Sequence, residues 1–399
     1  MPPRRTLVVV LAGGAGGRLE LLTRSRAKPA VPFGGHYRLI DFPLSNCLHS
    51  GLSDVWVIEQ FNPVSLTDHL ANGRPWDLDR TTGGLLVLHP RLGEGAEGWH
   101  QGTADALWRN ASLIREHDAE ALVVVSADAV YRLDYSRVVE EHVRTGASVT
   151  MVTTRVDRAD ASRYGVVQVD DDGRITDYAY KPDEPASDLV TNEVFVFRPD
   201  TLLDLLERLG EDAGDDEGLE DLGDAVLPRL VADGGAREFR FDGYWRDVGL
   251  VDSYWSAHMD LLGEDPAFAL DDQDWPVLTS GSRRGPAVLR DGAEVSDVLV
   301  SPAGRVAGRA ERSVLSPGAV VEAGAVVRDS VLLHGVVVEK GAVVERAVVD
   351  AGARISAGAR VGGPRPAGAD DLAVALVAQD ERVPGDAHLP PGARFPEDD

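Results

Sequence analysis

Leu7-Val-Val-Val-Leu-Ala-Gly-Gly-Ala-Gly-Gly-Arg18 is the stretch that decides the fold of the first half of the chain. Its apolar run over residues 7–11 has no polar alternation, which is typical of a buried strand in a parallel sheet. Four glycines follow within five residues, and they permit unusual dihedral angles and close approach to the backbone. Arg18 and Lys28 then add positive charge. A glycine turn that offers backbone N–H groups beside two cations indicates a site for a phosphate chain.

Two common phosphate-binding motifs do not fit this stretch. The P-loop pattern fails because no Gly-Lys-Ser/Thr closes the turn. The dinucleotide pattern fails because Leu19 or Glu20 stands at its last glycine position. From the glycines alone, a plain turn between a strand and a helix stays open as the simpler interpretation.

Composition bounds the class of protein. The chain has 399 residues, enough for two domains, and a net charge of −26, which argues against a nucleic-acid partner. No apolar run reaches the ~20 residues of a membrane helix, and the first run is too short for a signal peptide. We therefore expect a cytoplasmic protein without a membrane partner. Cys47 is the single cysteine, which excludes an internal disulfide.

Short apolar runs alternate with helical patterns over residues 7–155. Runs at 55–58, 122–125 and 149–152 predict strands, and the segments 66–70 and 104–115 predict helices. This alternation predicts an α/β domain with a mainly parallel sheet, whose ligands lie beyond the carboxyl ends of the strands. Residues 164–178 read as a hairpin and 190–197 as a further strand.

Polar residues stand where these strands and helices meet. Asp128 follows the predicted strand 122–125, so its carboxylate can anchor Mg²⁺ or can equally cap a helix. Gly102-Thr103 opens a helix and offers N–H groups and a hydroxyl to a base or phosphate, although an ordinary helix cap explains it as well. Lys181 ends a strand and can act as a point charge for a phosphate.

Four strings together resemble the sugar-phosphate nucleotidyltransferases. They are residues 7–46 with Tyr37-Arg-Leu-Ile-Asp-Phe-Pro-Leu-Ser-Asn46, then Trp99-His-Gln-Gly-Thr-Ala-Asp105, Tyr180-Lys-Pro182 and Tyr244-Trp-Arg-Asp-Val-Gly249. Within that family the chain is most similar to members that make ADP-glucose and pyrophosphate from ATP and glucose 1-phosphate, for glycogen-type polymers. The resemblance implies a Rossmann-like, mainly parallel nucleotidyltransferase domain followed by a C-terminal left-handed parallel β-helix of hexapeptide repeats.

The resemblance also implies roles for individual residues. The catalytic residues would be Arg18, Lys28 and Asp128, and Mg²⁺ would be bound by Asp128 and Asp247. The nucleotide would be bound by Leu11, Ala12, Gly13, Gly14, Gln60, Trp99, Gly102 and Thr103. The sugar phosphate would be bound by His100, Gly165, Lys181, Thr191, Asp221 and Trp245.

Some positions depart from the family pattern. Tyr180 replaces a glutamate that reads sugar hydroxyls, and Glu193 stands where the family has glycine. We hypothesise that Glu193 compensates for the missing glutamate. The family lysine after Gly223 is absent, and Val288 replaces a lysine of the family's activator site. The resemblance therefore indicates the class of reaction more firmly than it indicates the sugar or the regulation.

The last third of the chain has a different period. Glycines recur six positions apart and again 17 positions apart, at 318 and 324, 335 and 341, and 352 and 358. Valines at 314, 320, 326, 331, 337, 343 and 348 follow the same steps and are expected to point inward. This period predicts a parallel β-helix with glycine corners. Such a solenoid offers a stacking surface and favours a homo-oligomer, with a tetramer expected.

We divide the chain on these grounds into four segments. They are a nucleotidyltransferase domain at 1–250, a helix and linker at 251–290, a β-helix at 291–362, and a loosely ordered tail at 363–399 to which 372–377 could add a strand. Two other functions stay open. One is a nucleotidyltransferase for a different sugar 1-phosphate or nucleoside triphosphate, and the other is a non-catalytic regulatory homologue or β-helix binding module.

Overall fold

The computed structural model describes residues 5–14, 16–90, 99–213, 218–281, 284–369 and 371–397. The strands before the C-terminal third are β1 (Thr6–Ala12), β2 (Pro32–Phe33), β3 (Tyr37–Arg38), β4 (Asp54–Glu59), β5 (Gly84–Leu88), β6 (Ala121–Ser126), β7 (Ala129–Tyr131), β8 (Val149–Arg155), β9 (Gly165–Val169), β10 (Ile175–Tyr180), β11 (Leu189–Phe197), β12 (Ala236–Arg240) and β13 (Trp245–Asp247).

The α-helices are α1 (Asp41–His49), α2 (Pro63–Leu70), α3 (Thr103–Trp108), α4 (Ala111–His117), α5 (Tyr135–Thr145), α6 (Pro199–Ala213), α7 (Leu222–Ala225), α8 (Leu227–Ala232) and α9 (Val251–Met259). Short 3₁₀ turns cover Gly17–Thr23, Lys28–Ala30, Arg74–Trp76 and Ala161–Arg163.

The C-terminal third consists of short strands. They are β14 (Val288–Leu289), β15 (Glu294–Val300), β16 (Arg305–Val306), β17 (Arg309–Leu315), β18 (Val320–Val321), β19 (Val326–Arg328), β20 (Val331–Leu332), β21 (Val337–Val338), β22 (Val343–Glu345), β23 (Ala347–Val349), β24 (Arg354–Ile355), β25 (Arg360–Gly362), β26 (Ala375–Val377), β27 (Arg382–Val383), β28 (His388–Leu389) and β29 (Arg394–Phe395).

Contacts within the chain group it into two compact units. The first comprises Met1–Gly14, Phe42–Ala127 and Tyr131–Trp245, and the second comprises Ala15–Asp41, Asp128–Val130 and Arg246–Asp399. The predicted four-segment division stays a prediction.

The first unit is built on one twisted sheet. Its order is β10-β9-β11-β6-β1-β4-β5, with β8 also on β11 and β12 on β8. The run β6-β1-β4-β5 is parallel and β11 is antiparallel to β6. Strand β1 is central and almost fully buried, which is why its sequence has no polar alternation. The predicted strands and the hairpin β9-β10 are confirmed, whereas the predicted helix 104–115 is broken at Arg109–Asn110 into α3 and α4.

The core of this unit lies between the sheet and helices such as α6. Leucines at 202, 203, 205 and 206 of α6 recur at helical spacing and are buried. Gly210 of α6 lets Trp108 approach, because a Cβ at 210 would lie 2.3 Å from the indole ring. Burying each such leucine stabilises the fold by about 1.5–3 kcal/mol.

The second unit contains the solenoid. Strands of successive coils pair in parallel, and the partner of each residue lies 17 positions on, as for Val320 and Val337 or Val331 and Val348. The six predicted corner glycines all have positive φ, between 73° and 80° except Gly335 at 70°. Only glycine adopts this conformation without strain. The predicted parallel β-helix of hexapeptide type is confirmed.

The predicted inward valines are partly wrong. Val320, Val326, Val337 and Val343 are half-buried, whereas the residue after each, Val321, Val327, Val338 or Val344, is fully buried in the solenoid core. Successive side chains of a strand point to opposite faces. A six-residue period fits either residue of a Val-Val pair, so the sequence pattern does not tell which one points inward.

The expectation that residues 363–399 are loosely ordered is wrong for the described residues, whereas the strand allowed at 372–377 is confirmed as β26. Strands β26 to β29 pair in parallel with the coils before them. Val348 pairs with Leu376, 28 positions on instead of 17. An insertion between β25 and β26 therefore hides the period in the sequence, and the solenoid resumes after it.

One buried ion pair ties the segment before Lys28 to these coils. Arg26 Nη1 lies 2.8 Å from Asp350 Oδ1, and the two side chains are 10% and 0% exposed. Arg26 also donates to Gln379, which accepts a second hydrogen bond from Ser25. Burial raises the pKa of Asp350, and the charge of Arg26 opposes that shift. These contacts fix the segment at Arg26, and Lys28 follows two residues later in the sequence.

His258 of α9 is buried as the neutral imidazole. Its Nε2 accepts a hydrogen bond from Gly34 N at 3.1 Å, so its Nδ1 carries the proton and donates to Tyr254 O at 2.8 Å. Burial lowers the pKa of His258 to about 4.

No helix within the part of the chain that the structure describes is long and apolar enough to cross a membrane.

Replacing Asp350 by alanine tests the buried ion pair. We expect the free energy of unfolding to fall by about 3–5 kcal/mol, because Arg26 is left buried without its charge partner. Denaturant titration measures the change. As a control, Glu294→Ala removes an exposed pair of the same solenoid, with 49% and 74% exposed side chains, and should cost less than about 1 kcal/mol. Equal effects of the two substitutions would contradict the argument.

The neutral His258 predicts a pH dependence of stability. Its pKa in the folded chain is below its unfolded value of about 6.5, so the unfolded chain binds more protons as the pH falls from 6.5 toward 4. Stability should therefore decrease in that window, by up to about 1.4 kcal/mol per pH unit for this residue. His258→Gln should be less stable at pH 7 and show a flatter slope between pH 6.5 and 5 in denaturant titrations. An unchanged slope would contradict the assignment.

Candidate active site

A lysine lies between two carboxylates in the second unit. Lys28 Nζ is 2.9 Å from Asp128 Oδ2 and 4.0 Å from Asp247 Oδ1. The three side chains are 9%, 27% and 13% exposed, so the charges are partly shielded from water. Three residues from distant points in the sequence, all predicted for catalysis or metal binding, are thus brought together.

Backbone groups fix this arrangement. Gly249 N donates to Asp247 Oδ1 at 3.1 Å, and Val248 N donates to Asp128 O at 3.3 Å. A Cβ at Gly249 would lie 3.1 Å from both carboxylate oxygens of Asp247 and 3.4 Å from Lys28 Nζ. The glycine of the Tyr244–Gly249 string therefore leaves room for the two charged groups to approach each other closely.

The glycine turn packs on the same lysine. Gly16 has φ +68°, and a Cβ there would lie 3.0 Å from Lys28 Cβ and 2.8 Å from Thr23 Cγ2. Thr23 Oγ1 donates to Gly16 O at 2.9 Å and closes the turn. Arg18 lies on the exposed side of this segment, where it is available to a phosphate.

The two carboxylates fit a magnesium ion by their chemistry. Mg²⁺ uses one or two carboxylates and completes its shell with phosphate oxygens and waters. Asp128 and Asp247 both approach one ammonium, so they converge on a point where positive charge is favourable. No cluster of three or more His, Cys, Asp or Glu side chains that could hold a metal occurs among the described residues.

In the first unit, Thr103 and Asp221 form a second group. Thr103 N and Oγ1 donate to Asp221 Oδ1 at 3.1 and 3.2 Å, and Leu222 N donates to Thr103 Oγ1 at 2.8 Å. A Cβ at Gly102 would lie 2.3 Å from the backbone carbon of Glu220. Thr103, predicted for the nucleotide, and Asp221, predicted for the sugar, are thus direct neighbours, which no spacing in the sequence revealed.

Tyr180 and Lys181 extend this group. Tyr180 Oη donates to Asp221 Oδ2 at 3.1 Å, and Lys181 Nζ donates to Tyr180 Oη at 2.6 Å. Lys181 is exposed and has φ +45°, a strained conformation for a residue with a side chain. Tyr180, a departure from the family pattern, thus joins the two predicted sugar-site residues, and nothing in the sequence indicated this role.

Gly165 and Thr191 lie together near Tyr178. A Cβ at Gly165 would lie 2.6 Å from Tyr178 Oη and 2.9 Å from Thr191 Oγ1. Trp245 packs edge-on against Tyr164 at 5.2 Å between ring centroids, and Tyr164 O accepts from Lys181 N at 3.0 Å. These contacts place the predicted sugar residues Gly165 and Trp245 near Thr191 of β11 and near Lys181, which directly follows β10.

Glu193 has φ +59°. Glycine adopts a positive φ without strain, which is a physical reason for the glycine that the resembled family has at this position. Its negative charge contributes to the raised pKa of both Tyr178 and Tyr180, after burial and other causes. Glu193 is therefore close to the Tyr180 group, and its compensating role stays a hypothesis.

A third group of the first unit contains Gln60 and Trp99, which are predicted for the nucleotide, and His100, which is predicted for the sugar phosphate. Gln60 Nε2 donates to His100 O at 3.0 Å, and His100 N donates to Gln60 Oε1 at 2.5 Å. Trp99 is 53% exposed and stacks on Phe61, with 5.0 Å between centroids. Burial lowers the pKa of His100. The strand β1 ends with Leu11 and Ala12, and Gly13 and Gly14 follow it. A Cβ at Gly13 would lie 3.5 Å from Gln60 Cβ.

Comparison with known proteins agrees with this architecture. A family model described as nucleotidyl transferase matches residues 7–264, and a GlmU-like C-terminal hexapeptide model matches residues 288–375. The chain belongs to the nucleotidyl transferase family. Members of this family generally use a divalent metal.

Curated relatives narrow the resemblance further. A glucose-1-phosphate adenylyltransferase of Thermomicrobium roseum is 45% identical over 295 residues, which are 74% of this chain and 68% of the relative. Proteins of the same name from Thermotoga maritima and Clostridium acetobutylicum are 42% and 37% identical, over 79% and 80% of this chain and 74% and 84% of their own lengths. The predicted resemblance to the ADP-glucose-forming members is confirmed.

Gly249→Ala tests whether close approach at Lys28 matters. The added Cβ should push Asp247 and Lys28 apart by a few tenths of an ångström, and we expect kcat of nucleotidyl transfer to fall roughly tenfold to a hundredfold. Gly281→Ala is the control, since nothing lies within 4 Å of a Cβ there. Steady-state kinetics and a thermal melt measure both variants. A folded Gly249→Ala variant with the activity of the parent would contradict the geometric argument.

Proposed function

We propose that this protein transfers the adenylyl group of ATP to glucose 1-phosphate and forms ADP-glucose and pyrophosphate. The observation that carries the proposal is the Lys28 ammonium between the carboxylates of Asp128 and Asp247. Such a group can bind phosphate oxygens and a divalent cation together. The names of relatives at 37–45% identity support the choice of ATP and glucose 1-phosphate as the pair.

The reaction needs positioning and charge neutralisation. A phosphate oxygen of glucose 1-phosphate attacks the α-phosphorus of ATP in line, the bond from the α-phosphorus to the bridging oxygen breaks, and pyrophosphate leaves with that electron pair. Asp128 and Asp247 are the residues that would hold Mg²⁺, which when bound would neutralise charge on the phosphates. Lys28 and Arg18 donate hydrogen bonds to phosphate oxygens and stabilise their charge in the transition state.

Residues of the first unit would select the substrates. Gln60, held by His100, offers an amide to the adenine edge, and exposed Trp99 offers a stacking face. Lys181 would bind the phosphate of glucose 1-phosphate as a point charge, and Asp221 would accept hydrogen bonds from sugar hydroxyls. Gly165, Thr191 and Trp245 would line the sugar beside them. No covalent intermediate with the protein is required.

A different sugar 1-phosphate is the second candidate. The names of the relatives do not favour it, although Tyr180 and Glu193 depart from the family pattern on the sugar side. The reaction class would be the same. A homo-oligomer, with four subunits expected, and a cytoplasmic location are parts of the proposal that rest on the sequence analysis.

Pyrophosphate release by the purified chain tests the proposal. ATP, GTP, UTP and dTTP are each combined with glucose, galactose and mannose 1-phosphates in the presence of Mg²⁺. We expect turnover with ATP and glucose 1-phosphate, loss of activity with EDTA, and a fall of at least about 100-fold in Asp128→Asn. Asp171→Asn, in the exposed turn between β9 and β10, is the control and should keep full activity.

Three results would change the conclusion. Turnover with another pair would keep the mechanism and change the substrate. Full activity of Asp128→Asn would contradict the metal-binding role of that carboxylate. A folded protein without turnover on any pair would support the regulatory homologue instead.

A further inference from the structure

We propose that Tyr180 is the positioning residue of the sugar-phosphate site, because its hydroxyl holds the Lys181 ammonium and the Asp221 carboxylate in one hydrogen-bonded chain. The inference rests on the proposed function and deepens it. It concerns only residues of the first unit, and it gives a role to the aromatic residue that replaces the family's glutamate.

Continuous hydrogen bonds connect four side chains, those of Lys181, Tyr180, Asp221 and Thr103. Lys181 Nζ donates to Tyr180 Oη at 2.6 Å, Tyr180 Oη donates to Asp221 Oδ2 at 3.1 Å, and Thr103 donates twice to Asp221 Oδ1. Charge-assisted hydrogen bonds of this kind are stronger than those between neutral groups. The predicted phosphate ligand Lys181 and the predicted sugar ligand Asp221 are thus oriented by one hydroxyl.

The ring of Tyr180 is itself fixed by packing. A Cβ at Gly223 would lie 2.3 Å from Tyr180 Cδ2, so the ring rests directly on the backbone at 223. Lys181 Nζ lies 4.2 Å from the centroid of the same ring, within the range of a cation–π contact. The backbone of Lys181 has φ +45°, and its N–H is bound by Tyr164 O at 3.0 Å. A strained backbone held by its surroundings is typical of functional positions.

The hydroxyl stays protonated over the physiological range. Burial, followed by the negative charges of Asp221 and Glu193, raises the pKa of Tyr180 far above its ordinary value of 10. Its single hydrogen can therefore always be donated to Asp221, while its oxygen accepts from Lys181. A glutamate at this position would offer only acceptors and would repel Asp221.

These hydrogen bonds determine which donor and acceptor groups remain available to a ligand. Asp221 Oδ1 already accepts two hydrogen bonds from Thr103, so Oδ2 is the oxygen with capacity for a sugar hydroxyl. An ammonium has three N–H groups, and Lys181 uses one of them in the hydrogen bond to Tyr180. The site therefore presents a carboxylate acceptor beside a cation with two N–H groups for a phosphate. This combination fits the phosphate of an uncharged sugar that has a hydroxyl near the phosphate group.

Tyr180→Phe removes the hydroxyl and keeps the ring. We expect the KM for glucose 1-phosphate to rise roughly tenfold, as for loss of a hydrogen bond to charged groups, while the KM for ATP changes less than twofold. In the Lys181→Met background the same change should raise the KM for glucose 1-phosphate by a clearly smaller factor than in the parent chain, because Tyr180 acts partly through Lys181. Equal changes in both KM values, or multiplicative effects in the double variant, would overturn the inference.

A second measurement does not depend on turnover. The chain contains three lysines, Lys28, Lys181 and Lys340, so acetylation by acetic anhydride can be followed at each by mass spectrometry. In Tyr180→Phe the labelling rate of Lys181 relative to exposed Lys340 should rise at least about threefold, because a bound ammonium must first be released. Tyr131→Phe, which removes a hydroxyl bound to Tyr135 at 2.6 Å, is the matched control and should leave the ratio unchanged.

The two measurements separate the two claims. A wild-type chain that is inactive on every nucleotide and sugar pair would remove the proposed function, but the labelling ratio would still report whether Tyr180 holds Lys181. An unchanged ratio in Tyr180→Phe would overturn the inference even if the enzyme makes ADP-glucose.

Discussion

The attraction between one buried ammonium and two carboxylates is the constraint on which the proposed chemistry depends. Lys28 is 93% shielded from solvent and lies within 4.0 Å of both Asp128 and Asp247. Partly buried charges of this kind are costly unless they are paired. A side chain at Gly249 would crowd this pairing, and Gly16 packs against Lys28. A metal ion or a phosphate chain would enter a site whose charges are already arranged for it.

The solenoid holds a segment that is distant in sequence, the one that carries Arg26. Asp350 and Gln379 come from successive coils and hold Arg26, which stands two residues before Lys28. The insertion between β25 and β26 does not interrupt this role, since β26 and the strands after it resume the pairing of the coils. Within one unit, a buried ion pair therefore joins the repeat domain to the segment that carries Lys28, and loss of this pair would be strongly unfavourable.

The sugar side shows how a departure from a family pattern can be accommodated. Tyr180 brings a neutral hydroxyl to a place where a carboxylate would face Asp221. Glycine at 223 makes room for the ring, and Glu193 adopts a backbone conformation that usually requires glycine. A large aromatic side chain at 180 changes both the volume and the charge of the site, so its surroundings must accommodate it.

The sequence alone determined the fold class, the repeat architecture and the family, because these follow from local patterns. The unbroken apolar run of β1 and the glycine corners each reflect a constraint within a few residues. Long motifs such as that ending at Gly249 also pointed to Asp128, Asp247 and Lys28 as candidates, since each matches a family string.

Only the tertiary structure decided what these residues contact. The Thr103–Asp221 and Tyr180–Lys181 bonds, the Arg26–Asp350 pair and the direction of the Val-Val pairs depend on side chains far apart in the chain. A short-range period cannot distinguish residue i from i+1 when both are valine, and it loses its phase at an insertion. Hydrogen bonds between distant segments have no sequence period at all, so they become visible only once the chain is folded.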